Sequence, residues 1–445
     1  MLKKIICTVT LSLLLASCSS QTIDVAKERT LYSHIVPIAP EITPNIQTAG
    51  YWISQTDTPD SVIMTAEEIV EFNKTIAEKQ GLITVSDHLE SIPSITLHQK
   101  IAEIYDYIYS QKHYYANGDL ITKSDLEAIR ERINFEGMNT PLRHVSFGII
   151  TERLNLRVLP TDEMFLKEGD EGFFDRLQMS SLEIGTPVAI LWRTYDRKWL
   201  FVQSNGTTGW IKPTQLAYCS RYELKKWEFL TDFAVITNYR TSIYADAEFT
   251  KYISRASVGN RFPIDRTIES PVGVTAIRFP VRDDDGTLTT VRGYINSNEV
   301  NIGYLPYTSR NLLTLAFSML NAPYGWGGMF GEQDCSGLVG SIFSAVGITM
   351  PRNSAMQARV GTDITDITQA IPGATTLQMP GHIMLYVGMN DNSPYTIHAT
   401  WNFRENTEDN YILRMPARVI LSKLTSDNGT IYYSDRAIKD ISVVR

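Results

Sequence analysis

The spacing of apolar residues along the chain alternates between a helical and a strand-like period. Between about residues 61 and 135, apolar residues recur every three or four positions, as on one face of a helix. Two of these segments begin with a capping-box pattern, Thr65 with Glu68 and Ser124 with Glu127. The apolar stripes consist of Ile69, Phe72 and Ile76, of Leu97, Ile101, Ile104, Tyr105 and Ile108, and of Leu126, Ile129 and Ile133. We therefore predict a tether and a small helical domain within residues 18–142.

The period changes to strand-like alternation near residue 143. Residues 197–204, the Asn-Gly turn at 205–206 and Gly209-Trp210-Ile211 together predict a β-hairpin. This combination resembles a bacterial SH3-like barrel, and a weaker version of it recurs at residues 274–295. We predict two small all-β barrels, a first barrel at residues 143–220 and a second barrel at residues 221–303.

Helical spacing returns after residue 306 and then gives way to strands. Ser309 is placed to cap a helix that stops before Pro323. A second helix is predicted to start at Cys335, with Asp334 as its N-cap and Gly347 at its end. Its apolar face is formed by Leu338, Val339, Ile342, Phe343 and Val346. With strands predicted at residues 381–388 and 395–399, residues 304–445 are expected to form an α+β domain, which completes a multidomain fold.

The first residues have the pattern of an export signal. Lys3 and Lys4 precede an apolar run at residues 5–16 that is too short to span a bilayer. Leu-Ala-Ser-Cys at residues 15–18 resembles the lipobox of bacterial lipoproteins, which implies removal of residues 1–17 and acylation of Cys18. An ordinary signal peptide with a chance cysteine is the alternative. We expect a lipid anchor in the cell envelope, at the outer membrane and facing the periplasm.

Charge and cysteine content narrow the classes of function. A chain of 445 residues has room for two to four domains, and its net charge of −8 gives no basic footprint for nucleic acid. Of the four cysteines, Cys219 and Cys335 remain once Cys7 leaves with the signal and Cys18 is acylated. A disulfide between the remaining two is the structural alternative. We favour free thiols, because one residue ends a β segment and the other begins a helix.

Cys335 lies where a nucleophile is expected. It follows a glycine-rich loop and falls in the first turn of a helix, where the helix dipole and free backbone N–H groups favour a thiolate. A thiol nucleophile needs a base, and the base needs a third group to orient its ring. His382 and His398, on the two downstream strands, supply these groups if the strands lie side by side against the helix.

The motifs around these three residues resemble the NlpC-type family of papain-like cell-wall endopeptidases. They are Pro-Tyr-Gly-Trp-Gly-Gly, Asp-Cys-Ser-Gly-Leu, Pro-Arg-Asn-Ser with Gln357, Gly-His-Ile-Met-Leu-Tyr-Val-Gly and Ile-His-Ala. The resemblance is specific over about residues 305–415. A helical region and two SH3-like barrels before the peptidase domain are an arrangement that some members of this family share.

The resemblance implies a reaction and a role for each residue of the triad. The expected reaction is hydrolysis of the bond between γ-D-glutamate and the diamino acid in peptidoglycan stem peptides. Cys335 is then the nucleophile, His382 its general base, and His398 the residue that orients His382. No cofactor or metal is expected, the protein is expected to be a monomer, and its partners are stem peptides and the membrane that holds its lipid.

The resemblance also implies three supporting residues. Tyr324 matches a family tyrosine whose hydroxyl helps the backbone N–H of Cys335 to stabilise the oxyanion. Asp334 and Ser336 match positions that hold the free L-alanine amine of the substrate in relatives acting on released peptides. A plain helix cap is an equally good role for Asp334, and the two roles are compatible. We assign no role to Arg352.

Three other functions stay open at this point. Relatives with rearranged papain-like folds are acyltransferases, although the order of cysteine before histidine fits hydrolases better. Cys335, His382 and His398 could instead bind zinc and leave one position open, which chelators would reveal. A non-catalytic lipoprotein that binds peptidoglycan through its barrels is the third alternative, but it does not account for an intact triad.

Overall fold

The computed structural model describes residues 42–170, 174–406, 411–427, 430–433 and 436–445. These residues belong to one compact unit. The predicted signal peptide, Cys18 and the first part of the tether lie outside the described residues. Within the described part of the chain, no helix is both long and apolar enough to cross a bilayer.

The helices and strands follow the predicted succession of helical, β and α+β segments. The helices are α1 (Ala49–Ser54), α2 (Ala66–Gln80), α3 (Ser94–Tyr109), α4 (Lys123–Ile133), α5 (Arg221–Glu228), α6 (Ser309–Ser318), α7 (Cys335–Ala345) and α8 (Ser354–Gln357). Strands before the peptidase region are β1 (Ser91–Pro93), β2 (Leu142–His144), β3 (Ser146–Ile150), β4 (Leu154–Arg157), β5 (Gln178–Leu182), β6 (Pro187–Arg193), β7 (Leu200–Gln203), β8 (Thr208–Ile211), β9 (Leu216–Cys219), β10 (Phe233–Ile236), β11 (Arg240–Tyr244), β12 (Tyr252–Ser257), β13 (Arg261–Pro263), β14 (Val274–Arg282), β15 (Leu288–Asn296) and β16 (Val300–Ile302). The remaining strands are β17 (Thr362–Asp363), β18 (Thr375–Met379), β19 (His382–Asn390), β20 (Ser393–Thr400), β21 (Phe403–Asn406), β22 (Tyr411–Arg414), β23 (Arg418–Lys423), β24 (Thr425–Asp427), β25 (Thr430–Tyr433), β26 (Arg436–Ala437) and β27 (Asp440–Val443).

Helix starts agree with the sequence patterns at some positions and differ at others. The capping box of Thr65 and Glu68 is present at the start of α2. The predicted box at Ser124 is wrong, because Thr122 and Asp125 form the box that begins α4 two residues earlier. Thr122 with Asp125 and Ser124 with Glu127 both match the capping pattern, and the same apolar stripe follows whichever residue begins the helix. Helix α6 is likewise capped by the residue before the predicted Ser309.

The helical region and the first barrel share one hydrophobic core. Ile101 and Ile133 of the helices pack with Phe201 and Trp210 of the barrel. The indole Nε1 of Trp192 donates a hydrogen bond of 2.8 Å to the backbone oxygen of Ile133. This core therefore continues across the boundary predicted between residues 142 and 143.

The two barrels differ in their sheets. Strands of the first barrel form one sheet in the order β5-β4-β8-β7-β6-β3-β9, which contains the predicted β7-β8 hairpin with Gln203 opposite Thr208. The second barrel has a three-stranded sheet, β13-β10-β16, and a four-stranded sheet, β12-β11-β15-β14. Its separate core includes Ile236, Phe262 and Ile295.

The C-terminal domain is built on a central antiparallel sheet in the order β17-β27-β18-β19-β20-β23. Helix α7 packs on β19 and β20, which places the N-terminus of the helix near the start of β19. The N-terminal segment reaches this sheet from the other end of the chain. Trp52 is fully buried there, with its ring centroid 5.1 Å from that of Tyr395.

Candidate active site

Cys335 is the first residue of α7, as predicted. Asp334 is the N-cap and accepts a hydrogen bond of 2.7 Å from the backbone N–H of Gly337. The thiol is 8% exposed, and the backbone N–H of Ile383, the residue after His382, stabilises its ionised form. The nucleophile candidate therefore lies at the junction of α7 and β19.

His382, His398 and Ser422 form a continuous hydrogen-bonded chain. Nε2 of His382 is 2.8 Å from Nδ1 of His398. Nε2 of His398 is 2.9 Å from Oγ of Ser422 on β23. The exposed fractions of the two histidine side chains are 9% and 0%. The structure thus brings together the two histidines that the sequence predicts, and adds a serine that sequence reasoning did not find.

The direction of proton donation along this chain follows from the role of a general base. To accept a proton from the thiol, His382 must keep Nδ1 unprotonated, so its proton sits on Nε2 and is donated to Nδ1 of His398. His398 then carries its own proton on Nε2 and donates it to Ser422. The hydroxyl of Ser422 can accept this proton, and so it is compatible with the tautomer of His398 that accepts from His382.

Burial favours the neutral forms of both Cys335 and His382. Burial, and secondarily the negative charge of Asp334, raises the pKa of Cys335 to about 12. Burial, with a further contribution from the positive charge of Arg436, lowers the pKa of His382 to about 4. Desolvation therefore opposes the thiolate that the helix N-terminus and the backbone N–H groups favour.

The C-terminal sheet β24-β25-β26 covers the histidine pair. The ring of Tyr433 stacks on His382 with a centroid separation of 6.2 Å, and meets the ring of His398 edge-on at 4.8 Å. Arg436 donates a hydrogen bond to the backbone oxygen of Pro380 and acts electrostatically on His382. The β-rich pattern of residues 431–433 is compatible with a strand there, but nothing in the sequence indicated that it covers the histidine pair.

Asp334 and Ser336 are engaged by Arg352. Nη2 of Arg352 is 2.7 Å from Oδ2 of Asp334, and its Nη1 is 2.8 Å from Oγ of Ser336. Burial alone would raise the pKa of Asp334, but the charge and hydrogen bonds of Arg352, together with hydrogen bonds from Gly337 and Ser336, outweigh burial, and the net shift is downward. Nε of Arg352 also donates to Oγ of Ser180 in the first barrel, at 2.7 Å. Arg352, to which the sequence analysis gave no role, therefore compensates the buried charge of Asp334.

Tyr324 lies close enough to the carboxylate of Asp334 and to the thiol of Cys335 for their ionisation to act on its pKa. Burial, followed by the negative charge of Asp334, raises the pKa of Tyr324 well above its ordinary value, and ionisation of Cys335 would raise it further. The hydroxyl therefore stays protonated and can donate a hydrogen bond to an oxyanion. Its contribution to the reaction stays a prediction.

An aromatic cluster from two domains borders this region. Phe174, which precedes β5 in the first barrel, meets Trp326 at 5.1 Å and Trp401 at 5.7 Å, both edge-on. Trp401 in turn lies 6.2 Å from Tyr324. The first barrel therefore contributes an aromatic side chain next to a candidate site residue.

The geometry of the two histidines argues against a metal centre built from the same residues. Among the residues that the structure describes, no group of three or more His, Cys, Asp or Glu side chains is arranged to hold a metal ion. His382 and His398 direct one nitrogen each at the other. A zinc site made from Cys335 and both histidines would have to break this bond.

A separate cavity lies between the two barrels. Its volume is about 1010 Å³, and its lining includes Arg153 and Trp199 of the first barrel, Tyr252 and Arg255 of the second, and Phe330 before α7. Neither the thiol nor the histidine pair contributes to this lining. The cavity is therefore distinct from the Cys–His site.

Comparison with known proteins assigns two of the domains. Residues 321–410 match the model of the NlpC/P60 family, and residues 164–212 match an SH3 domain of the SH3b1 type. The predicted resemblance is thereby confirmed, and so is the multidomain fold class with its C-terminal papain-like domain. The NlpC/P60 match includes Cys335, His382 and His398.

Individual relatives share parts of the chain. A probable endopeptidase of Corynebacterium glutamicum is 32% identical over 101 residues, which cover 21% of this chain and 48% of that protein. A γ-D-glutamyl-L-lysine dipeptidyl-peptidase of Bacillus cereus is 27% identical over 163 residues, 36% of this chain and 45% of that protein. The matches thus span about half the length of these curated relatives.

One solved structure is similar over nearly the whole chain. It is an NlpC/P60 endopeptidase from Photobacterium damselae subsp. piscicida, with a TM-score of 0.71 and 20% identity. The superposition covers 92% of this chain and 98% of that one. At this identity the similarity establishes a shared fold for the helical region, the β domains and the C-terminal domain together.

Proposed function

We propose that the protein is a cysteine endopeptidase of the bacterial cell wall. The observation that carries this proposal is the hydrogen-bonded chain from His382 through His398 to Ser422, beside a cysteine that begins a buried helix. The match of this domain to the NlpC/P60 family, and the endopeptidase names of the relatives, support the same reaction class.

The proposed reaction starts from a neutral thiol and a neutral imidazole. His382 takes the proton of Cys335 as the sulfur attacks the amide carbonyl carbon, and the resulting oxyanion is stabilised by the backbone N–H of Cys335 and the hydroxyl of Tyr324. When the C–N bond breaks, His382 gives its proton to the leaving amine. Water then attacks the thioester with His382 again as the base, which releases the acid and restores the thiol.

We propose the bond between γ-D-glutamate and the diamino acid of a stem peptide as the one that is cleaved. The name of the Bacillus cereus relative, a γ-D-glutamyl-L-lysine dipeptidyl-peptidase, supports this choice. A preference for stem peptides with a free L-alanine amine is the finer part of the proposal. Asp334 and Ser336 are its candidate contacts, and an ammonium group would share the Asp334 carboxylate with Arg352.

We also propose that Cys18 is acylated and holds the mature protein to the membrane, at the outer membrane and facing the periplasm. The lipobox-like Leu-Ala-Ser-Cys at residues 15–18 supports this proposal. The SH3b1-type domain fits a protein that works at peptidoglycan.

The bond and the amine preference are tested together with two synthetic peptides. L-Ala-γ-D-Glu-diaminopimelate and its N-acetylated form are incubated with the mature protein, and the products are identified by mass spectrometry. We expect L-Ala-γ-D-Glu from the free peptide and a much slower release from the acetylated one. Equal rates would contradict the amine preference, and a different product mass would contradict the assigned bond.

A further inference from the structure

The loop that precedes the candidate nucleophile is held from outside the peptidase domain. We define the nucleophile loop as residues 325–334, which join Tyr324 to Cys335. The loop is closed at its base by a hydrogen bond of 3.0 Å from the N–H of Gly325 to the oxygen of Gln333. Because Cys335 is continuous with this loop, the position of its backbone depends on how the loop is fixed.

Arg153 of the first barrel binds the loop at two backbone oxygens. Its Nη1 donates to Gly328 at 2.7 Å and its Nη2 donates to Glu332 at 3.1 Å. The guanidinium is itself fixed by Glu183, at 2.6 Å from Nε, and by Oγ of Ser181, at 2.8 Å from Nη2. A guanidinium with this many fixed partners holds the loop in one position relative to the first barrel.

The same barrel approaches the glycines of the loop more closely than a side chain would allow. Nε2 of Gln178 donates to the oxygen of Gly327 at 3.0 Å. A Cβ on Gly327 would lie 2.7 Å from Cγ of Gln178, and a Cβ on Gly328 would lie 2.3 Å from Oγ of Ser181. Both glycines have positive φ, 55° and 82°. The loop conformation and its contact with the barrel therefore depend on each other.

The second barrel holds the loop through one buried carboxylate. Glu332 is 4% exposed, and its side chain forms an ion pair with Arg240 and accepts a hydrogen bond from the hydroxyl of Tyr239. Arg240 is the first residue of β11 in the second barrel, and Tyr239 directly precedes it. A charge that is buried in this way is fixed by its partners, because breaking the pair leaves an uncompensated ion.

We propose that Glu332, with Arg153, Tyr239 and Arg240, positions Cys335 for attack, so that both barrels are required for catalysis itself. The inference rests on the proposed role of Cys335 as nucleophile. None of the four residues needs to touch the substrate, and we assign them positioning roles. The barrels then have a function that does not depend on binding the cell wall.

The test uses the full mature chain with Glu332→Gln, Tyr239→Phe, Arg240→Met and Arg240→Lys. If the loop is released, kcat should fall by about 10- to 100-fold while KM changes less than about threefold, since misplacement of about 1 Å costs this much. Arg240→Lys should retain part of the kcat that Arg240→Met loses. Arg266→Met, which removes an exposed ion pair with Asp232 on the same barrel, is the matched control.

A second readout needs no substrate. The rate at which iodoacetamide alkylates Cys335, followed by mass spectrometry of its peptide, should rise in Glu332→Gln and Tyr239→Phe as the thiol becomes less buried. Slower turnover with faster alkylation is the expected signature.

The positioning role is overturned if, in these variants, kcat and the rate of Cys335 alkylation both stay within about twofold of the wild-type values. It is also overturned if the decrease in kcat of each variant is no larger than the fraction of that variant that circular dichroism shows to be unfolded. Failure of the wild-type protein to cleave any stem peptide would count against the proposed function instead, and the alkylation measurement would still decide the positioning role.

Discussion

Nε2 of His382 lies 2.8 Å from Nδ1 of His398, and this contact fixes which nitrogen of His382 can act as a base. Both rings are buried, and Ser422 completes the chain from β23. The proposed third residue of the triad, His398, is thus a buried imidazole whose pKa is lowered by burial, whereas a carboxylate in its place would stabilise the imidazolium form of His382.

We expect His398→Ala to lower kcat by about two orders of magnitude or more, because His382 loses the group that selects its tautomer. Ser422→Ala should lower kcat by about tenfold at most, since one neutral hydrogen bond contributes about 1 kcal/mol. Thr396→Val, a buried change on the same strand as His398, is the control. Steady-state kinetics on a stem peptide measure all three variants. A Ser422→Ala enzyme as impaired as His398→Ala would contradict this ranking.

Activity should persist to unusually low pH for a histidine base. Burial and the charge of Arg436 lower the pKa of His382 to about 4, so the imidazole stays unprotonated above that pH. We expect kcat/KM to fall only as pH drops through that region, rather than near the ordinary histidine value of 6.5.

Arg436→Gln should move this acid limb to higher pH. Removing a positive charge favours the imidazolium and raises the pKa of His382. The displacement should shrink at high salt, because Arg436 is exposed. Lys439→Gln, a change of an exposed charge on the same segment, is the control. An acid limb that moves to lower pH in Arg436→Gln, or equally in both variants, would contradict the electrostatic argument.

Arg352→Met should destabilise the fold by about 3–5 kcal/mol, because it leaves the buried charge of Asp334 without its partner. The double variant Arg352→Met with Asp334→Asn should recover part of this loss, since the uncompensated charge is gone and asparagine can still cap α7. Urea unfolding followed by circular dichroism gives the free energies. The argument fails if the double variant is as unstable as the sum of both single changes.

Trp52→Ala should lower the free energy of unfolding by about 3–5 kcal/mol, because it removes a large buried side chain that packs on the central sheet of the C-terminal domain. Its side chain is fully buried and its indole donates to the oxygen of Ile46 at 2.7 Å. A Cβ on Gly388 of β19 would lie 2.9 Å from this indole, so the ring packs directly on the central sheet. Val62→Ala, in the same segment but exposed, should change little. If both changes lower the unfolding temperature equally, Trp52 does not hold the N-terminal segment on the central sheet.

The main parts of the fold, and the elements on which Cys335, His382 and His398 lie, could be predicted because their signals are local. The cysteine that starts α7 and the histidines on β19 and β20 are marked by capping residues and strand periodicity close to them in sequence. Where two local patterns compete, the prediction fails by a few residues, as at Ser124 and Thr122.

The residues that sequence reasoning missed act through contacts between distant segments. Arg352 is identified only when the fold places it against Asp334, and Tyr433 only when the last strands cover His382. In the sequence, Glu332 is only an acidic residue in a loop, and its role becomes visible when the fold places Arg240 of the second barrel against it. The upward shift in the pKa of Cys335 was missed for a related reason, because the degree of burial is a property of the whole fold.

The most direct test of the central claim compares Cys335→Ala with Cys219→Ala. Both cysteines are free thiols in the structure, and only the first lies in the proposed site. Each variant and the wild-type protein are incubated with L-Ala-γ-D-Glu-diaminopimelate, and the release of L-Ala-γ-D-Glu is measured by mass spectrometry. We predict release by the wild type and by Cys219→Ala, and none by a folded Cys335→Ala. Release by Cys335→Ala at the wild-type rate would contradict the account.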